Sequence, residues 1–123
     1  MKTCLIVDDS DIVRKVARVI IESLKFEVTE AGSGDDALEA CKPEMPDIIL
    51  LDWHMPGSDS IGLIKAIRQL GVFKRPYILY CITEEDSTIL ARAALAGIDD
   101  TILKPFDRGS LTAKFAGFHR AAA

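Results

Sequence analysis

A chain of 123 residues, 49% hydrophobic and 28% charged, with 8 Gly and 5 Pro, suits one domain with a real core and excludes two full domains, a disordered chain or a collagen-like repeat. Fifteen Lys and Arg against 19 Asp and Glu leave a formal net charge of −4, so no excess of positive charge is present to hold a nucleic-acid backbone. No apolar run approaches the roughly 20 residues that span a bilayer, and Met1-Lys2-Thr3 runs straight into a strand-like stretch; a cytoplasmic protein with no membrane partner is expected.

Short β-branched apolar runs alternate with longer segments of helical spacing, the pattern of βα units around a parallel sheet. Cys4-Leu5-Ile6-Val7 forms the first strand. A helix is predicted from about Ser10 to Lys25, with Ile12, Val13, Val16, Ala17, Ile20 and Leu24 recurring at three and four residues and packing on the sheet. Phe26 to Ala31 alternates apolar with polar, which predicts an edge strand. Gly32 to Gly34 is a turn, and Asp35 to Cys41 a short helix stopped by Pro43. Ile48-Ile49-Leu50-Leu51, a continuous apolar run, reads as a central strand ending on Asp52.

A helix from about Ser58 to Leu70 follows, with Ile61, Ile64 and Ile67 three residues apart, joined by Leu63 and Leu70, and Gly71 closes it. Tyr77 to Ile82 is the fourth strand, Asp86 to Ala96 the fourth helix, ended by Gly97, and Asp100 to Leu103 the fifth strand. The last helix runs from about Arg108 to His119, and Ala121 to Ala123 read as a frayed tail. Cys4, Cys41 and Cys81 are far apart and lack zinc or disulfide spacing, so they read as reduced thiols.

In an open α/β sheet, ligands bind beyond the carboxyl ends of the strands. That edge receives Asp8 and Asp9 after strand 1, Asp52 at the end of strand 3, Thr83 after strand 4 and Lys104 after strand 5. Carboxylates brought together repel, by about 4 kcal/mol at 4 Å and an effective dielectric of 20, so positive charge must join them. Lys104 supplies one. The oxygen-only donor set favours Mg²⁺ or Mn²⁺ over zinc, with Asp9 and Asp52 as direct ligands and Asp8 direct or through water. Asp52 is then a candidate nucleophile toward phosphorus, since an aspartyl carboxylate can carry a phosphoryl group, while Lys104, the metal and the Thr83 hydroxyl face the phosphoryl oxygens.

At these residues the chain resembles the receiver domain of two-component response regulators, and its length is similar to stand-alone receivers of the chemotaxis CheY type. The resemblance rests on Asp8-Asp9, Asp52 followed by Met55-Pro56, Thr83, and Lys104-Pro105-Phe106, and covers residues 2–120 or thereabouts. It implies one receiver domain over 1–123, an α/β fold with a five-stranded parallel sheet of order 2-1-3-4-5 flanked by five helices, and a cis Lys104–Pro105 bond. It further implies that Asp52 is the phosphoacceptor, that Asp8 and Asp9 hold Mg²⁺ with help from the His54 backbone carbonyl, that Lys104 contacts the phosphate and that Thr83 is the switch hydroxyl. The implied donor is a histidine kinase or histidine phosphotransferase. Output passes through the face of helix 4, strand 5 and helix 5 to a partner protein, with the chain a monomer or a weak phosphorylation-dependent dimer.

Three positions depart from that family. Thr101 stands where receivers carry an aromatic residue, three positions before the lysine; Glu84 follows the switch threonine where a small residue is usual; and Ser60 replaces a common glycine. Alternatives of other classes are a phosphatase working through an aspartyl phosphate, a phosphate sink without output, and an FMN carrier. Haloacid-dehalogenase-like phosphatases want an acid two residues after the nucleophile, where His54 stands. An FMN carrier wants a hydroxyl- and glycine-rich phosphate loop where Asp8-Asp9-Ser10-Asp11 stands. A P-loop nucleotidase is excluded by the missing motif.

Overall fold

A computed structural model of the chain describes residues 1–122. Strands β1 (Lys2–Val7), β2 (Phe26–Ala31), β3 (Ile48–Asp52), β4 (Tyr77–Ile82) and β5 (Asp100–Leu103) alternate with helices α1 (Asp11–Ser23), α2 (Gly34–Cys41), α3 (Ser60–Leu70), α4 (Ser87–Ala96) and α5 (Arg108–Ala122). All four pairings are parallel and the order is β2-β1-β3-β4-β5, as the resemblance implied. β2 is an edge strand with alternating burial, whereas β3, paired on both sides, is buried at every position.

Successive side chains of a strand point to opposite faces, so each apolar run feeds two cores. Leu5, Val7, Ile49, Leu51, Ile78 and Tyr80 pack beneath α2, α3 and α4, against residues such as Ala37, Ile64 and Ala93. Cys4, Ile6, Ile48, Leu50, Leu79 and Ile102 pack beneath α1 and α5, against Ile21, Leu111 and Phe115. Phe26 closes the second core with its ring edge-on to Phe115, centroids 5.0 Å apart. The three cysteines are buried and unbridged. Burial pushes the Cys41 thiol up to about 11 and the Cys4 and Cys81 thiols well above their ordinary value, so they stay protonated and behave as small hydrophobes.

Several helix ends differ from the sequence reading by one or two residues, and side-chain caps explain why. Ser10, Ser33, Asp59 and Asp86 are N-caps in extended conformation, each accepting a backbone N–H of the first turn. α3 therefore starts at Ser60 and α4 at Ser87. α1 stops at Ser23 instead of Lys25, because Lys25 adopts a left-handed φ of 70° that turns the chain into β2. α5 continues through Ala121 and Ala122, which the sequence suggested were frayed; Ala123 lies outside the described residues. Gly97 takes φ 116° as a left-handed cap, but Gly71 has φ −82°. Gly71 is glycine for space: a Cβ there would lie 2.9 Å from Pro76 Cδ. Because the Asp86 carboxylate accepts from both Thr88 N (2.8 Å) and Ile89 N (3.2 Å), Asp86→Ala should cost about 1 kcal/mol in urea unfolding.

The α1 stripe is the larger correction. Ala17, Ile20 and Ile21 face the sheet, whereas Ile12 is 75% and Val16 49% exposed. Ile12, Val16 and Val19, the last 62% exposed, share the outer side of the helix, and Ile12 and Val16 border the loops after β4 and β5 instead of the core. Leu70 also lies outward, at the solvent end of α3.

Candidate functional site

Every strand that carries a predicted site residue delivers it to the carboxyl edge. Asp8 follows β1, Asp52 ends β3, Thr83 follows β4 and Lys104 follows β5, whose backbone N–H bonds the Ile82 carbonyl at 2.8 Å. Carboxylate oxygens of Asp8, Asp9 and Asp52 lie within 4.8 Å of one another. Asp8 and Asp52 are buried; Asp9 is exposed. Lys104 Nζ bridges the two buried acids, 2.7 Å from Asp8 Oδ2 and 3.3 Å from Asp52 Oδ1. The Lys104–Pro105 bond is cis.

The electrostatics match that crowding. Burial pushes the Asp52 carboxyl up and the charge of Asp8 adds to it, while Lys104 and the His54 backbone N–H act in the other direction without cancelling the rise. Burial acts to lower Lys104, but its bond to Asp8 and the charges of Asp52 and Asp8 leave it raised, hence firmly an ammonium. Asp8 is held at both oxygens: Oδ2 by Lys104, and Oδ1 by the Ser10 N–H at 2.9 Å. Three hard oxygen donors in reach of each other, with the central acid still short of positive charge, fit a small divalent cation. The His54 imidazole is exposed, beside the Trp53 ring at 5.1 Å, and is outside the cluster of close ligand atoms.

Thr83 is exposed and lines a cavity of about 420 Å³ with Ile12, Val13, Val16, Lys104, Pro105 and Phe106. This apolar rim beside the acid cluster was missed from sequence, where Ile12 and Val16 satisfied a core stripe equally well. Glu84 and Glu85 are exposed in the β4–α4 loop. Thr101 is half-buried and pairs in register with Tyr80. Tyr80 is itself buried, its hydroxyl 2.5 Å from Ser60 Oγ, so the serine that replaces a common glycine finds a partner 20 residues away, a pairing no local signal announces.

A doubly wound sheet with an acid cluster and one lysine at its switch point is the CheY-like fold with its site in the usual crevice. The chain belongs to the response regulator receiver domain family, whose profile matches residues 4–116. It is 33% identical over 110 residues to the transcriptional regulatory protein CseB of Streptomyces coelicolor, covering 89% of this chain and 46% of CseB. It is 35% identical over 111 residues to the chemotaxis protein CheY-3 of Vibrio cholerae, covering 89% of this chain and 85% of CheY-3. The chain thus spans about half the length of CseB and most of CheY-3. Among solved structures, the Vibrio cholerae chemotaxis protein CheY4 matches with a TM-score of 0.90 at 26% identity, over 96% of this chain and 98% of that one. Membership places the chain among two-component signalling domains. Among the described residues, no helix is long and apolar enough to cross a membrane.

Proposed function

We propose that Asp52 accepts a phosphoryl group from the phosphohistidine of a histidine kinase or phosphotransfer protein, in a reaction that needs a divalent cation, and that the new charge alters binding of the α4–β5–α5 face to a partner protein. One observation carries this reading: a buried carboxylate, raised by burial and by Asp8, lies 3.3 Å from an ammonium and within reach of two further acids. In the transfer, an Asp52 oxygen forms the new bond to phosphorus as the phosphorus–nitrogen bond of the donor breaks, and the imidazole keeps the electron pair. Lys104, 3.3 Å from Asp52, would follow the phosphoryl oxygens, and Thr83, which lines the same cavity as Lys104, would offer them its hydroxyl. Asp9 and Asp52, with Asp8 and the His54 carbonyl, are the groups that would hold Mg²⁺. When bound, the cation supplies positive charge to the acid cluster and to the phosphoryl oxygens.

The apolar rim around Ile12, Val16 and Phe106 supports a protein donor, because it offers side-chain contact area beside the acceptor that a small phosphodonor does not use. On the output side, α4 exposes Ala91, Ala94 and Leu95, the last 90% exposed, β5 exposes Leu103, and α5 exposes Ala113 and Ala116. With Thr101 in place of an aromatic, the state of the site reaches this face through Thr83 and the β4–α4 loop. Incubation with acetyl phosphate and Mg²⁺ should add one phosphoryl group per chain and then stop at a steady level. Release of many phosphates per minute would favour the phosphatase reading, and no incorporation would contradict the proposal.

A further inference from the structure

We infer that Arg14 is a positioning residue for the cation pocket, its guanidinium fixing the main chain of Asp8 against β2 and so setting where the Asp8–Asp9 pair presents its oxygens. The inference rests on the proposed cation-dependent acceptor site. Arg14 stands in the first turns of α1 with its side chain 15% exposed. It reaches three acceptors in different directions: Nη1 donates to the Asp8 carbonyl at 2.5 Å, Nε to Glu30 Oε1 at 3.0 Å, and Nη2 to Asp11 Oδ1.

Glu30 is itself fixed, its second oxygen taking Arg18 Nε at 2.7 Å. It sits on β2 next to Ala31, whose carbonyl accepts the Asp8 N–H at 3.1 Å. Both main-chain groups of Asp8 are therefore tied, the N–H to β2 directly and the carbonyl to β2 through Arg14. The two side-chain oxygens are held by Ser10 and Lys104. Cutting the Arg14 link releases the carbonyl side of Asp8, where the chain continues to Asp9. Gly32 keeps the guanidinium's place open, since a Cβ there would sit 3.3 Å from Nη1. A lysine cannot replace this arrangement, because a single ammonium has no planar fork to span Glu30 and the Asp8 carbonyl together.

A merely electrostatic role predicts the opposite sign. If Arg14 were only a cation near an acid cluster, removing it would strengthen divalent-cation binding by relieving repulsion. If it positions the loop, removing it weakens binding, on the scale of ten- to a hundredfold found when outer contacts of metal ligands are lost. The test is Mn²⁺ binding to the chain, counted as loss of the free-ion paramagnetic resonance signal, in wild type, Arg14→Gln, Arg14→Lys and Arg18→Gln, all held at a temperature where circular dichroism shows them folded. Arg18→Gln breaks the same Glu30 cluster without touching Asp8. Both Arg14 variants should bind at least about tenfold more weakly, with Arg18→Gln within about twofold of wild type. Binding equal to or tighter than wild type in Arg14→Gln, full rescue by lysine, or an equal loss in Arg18→Gln would overturn the inference. A wild-type chain that takes up no Mn²⁺ would overturn the acceptor-site reading beneath it.

Discussion

Replacing Asp52 by Asn should abolish phosphoryl incorporation from acetyl phosphate, measured as added mass on the intact chain, while leaving the fold intact and the cation-free protein more stable. The two effects have one cause. Asp52 is buried beside Asp8, and burial and that neighbouring charge both push its carboxyl up, which means that its ionised form costs folding free energy at neutral pH. A neutral amide of the same shape removes the nucleophile and the repulsion together. Stabilisation of about 1 kcal/mol, a few degrees in melting temperature, is the expected scale. Mg²⁺ should raise the melting temperature of wild type more than that of Asp52→Asn, because the variant has lost a charged ligand. An Asp52→Asn protein that still gains mass at the wild-type rate would exclude Asp52 as the acceptor.

Lys104→Met separates cation binding from phosphoryl transfer. In wild type the ammonium holds Asp8 at 2.7 Å and Asp52 at 3.3 Å, so it competes with an incoming divalent cation for the same oxygens. Its removal leaves two buried carboxylates without their counter-charge. The variant should be less stable than wild type without Mg²⁺, should bind Mg²⁺ more tightly, and should recover much of its stability when Mg²⁺ is added. Phosphoryl incorporation should nevertheless slow by about 100-fold, the scale of losing one oriented donor to a developing oxyanion. Denaturation with and without Mg²⁺ reads the first effect, and acetyl phosphate kinetics the second. Tighter Mg²⁺ binding with an unchanged rate would remove Lys104 from the transfer step.

The sequence announced the parts of the molecule that depend on local pattern. β2 declared itself an edge strand by alternation and β3 a central one by its unbroken run, because burial on one or two faces dictates the period. The acid cluster was legible for a related reason: parallel strands all deliver their last residues to one edge, so Asp8, Asp52 and Lys104 had to converge once the strands were placed. The strand order itself came from the resemblance, since no pattern within a strand names its neighbour.

What stayed hidden depends on where elements sit relative to each other. Ile12 and Val16 fit a three-and-four spacing with Ala17 and Ile20, but together with Val19, 62% exposed, they lie on the side of α1 turned away from the core, and spacing alone does not say which side that is. Nothing local marks Arg14, whose bonds to the Asp8 carbonyl and to Glu30 require β1, α1 and β2 to be docked first. The Ser60–Tyr80 hydroxyl pair joins the start of α3 to the middle of β4, which spacing within either element does not predict. Helix starts were off by one or two residues for a simpler reason: Asp59 and Asp86 act as caps outside the helix, and their carboxylates read equally well as first-turn residues.

The most direct measurement is chemical localisation of the phosphoryl group. The chain is phosphorylated by acetyl phosphate with Mg²⁺, reduced with borohydride, which converts an aspartyl phosphate to homoserine, and digested for peptide mass spectrometry. Homoserine at position 52 alone, absent when the cation is chelated beforehand, is the predicted result. Homoserine at another acid, or phosphorylation that persists without a divalent cation, would contradict the account.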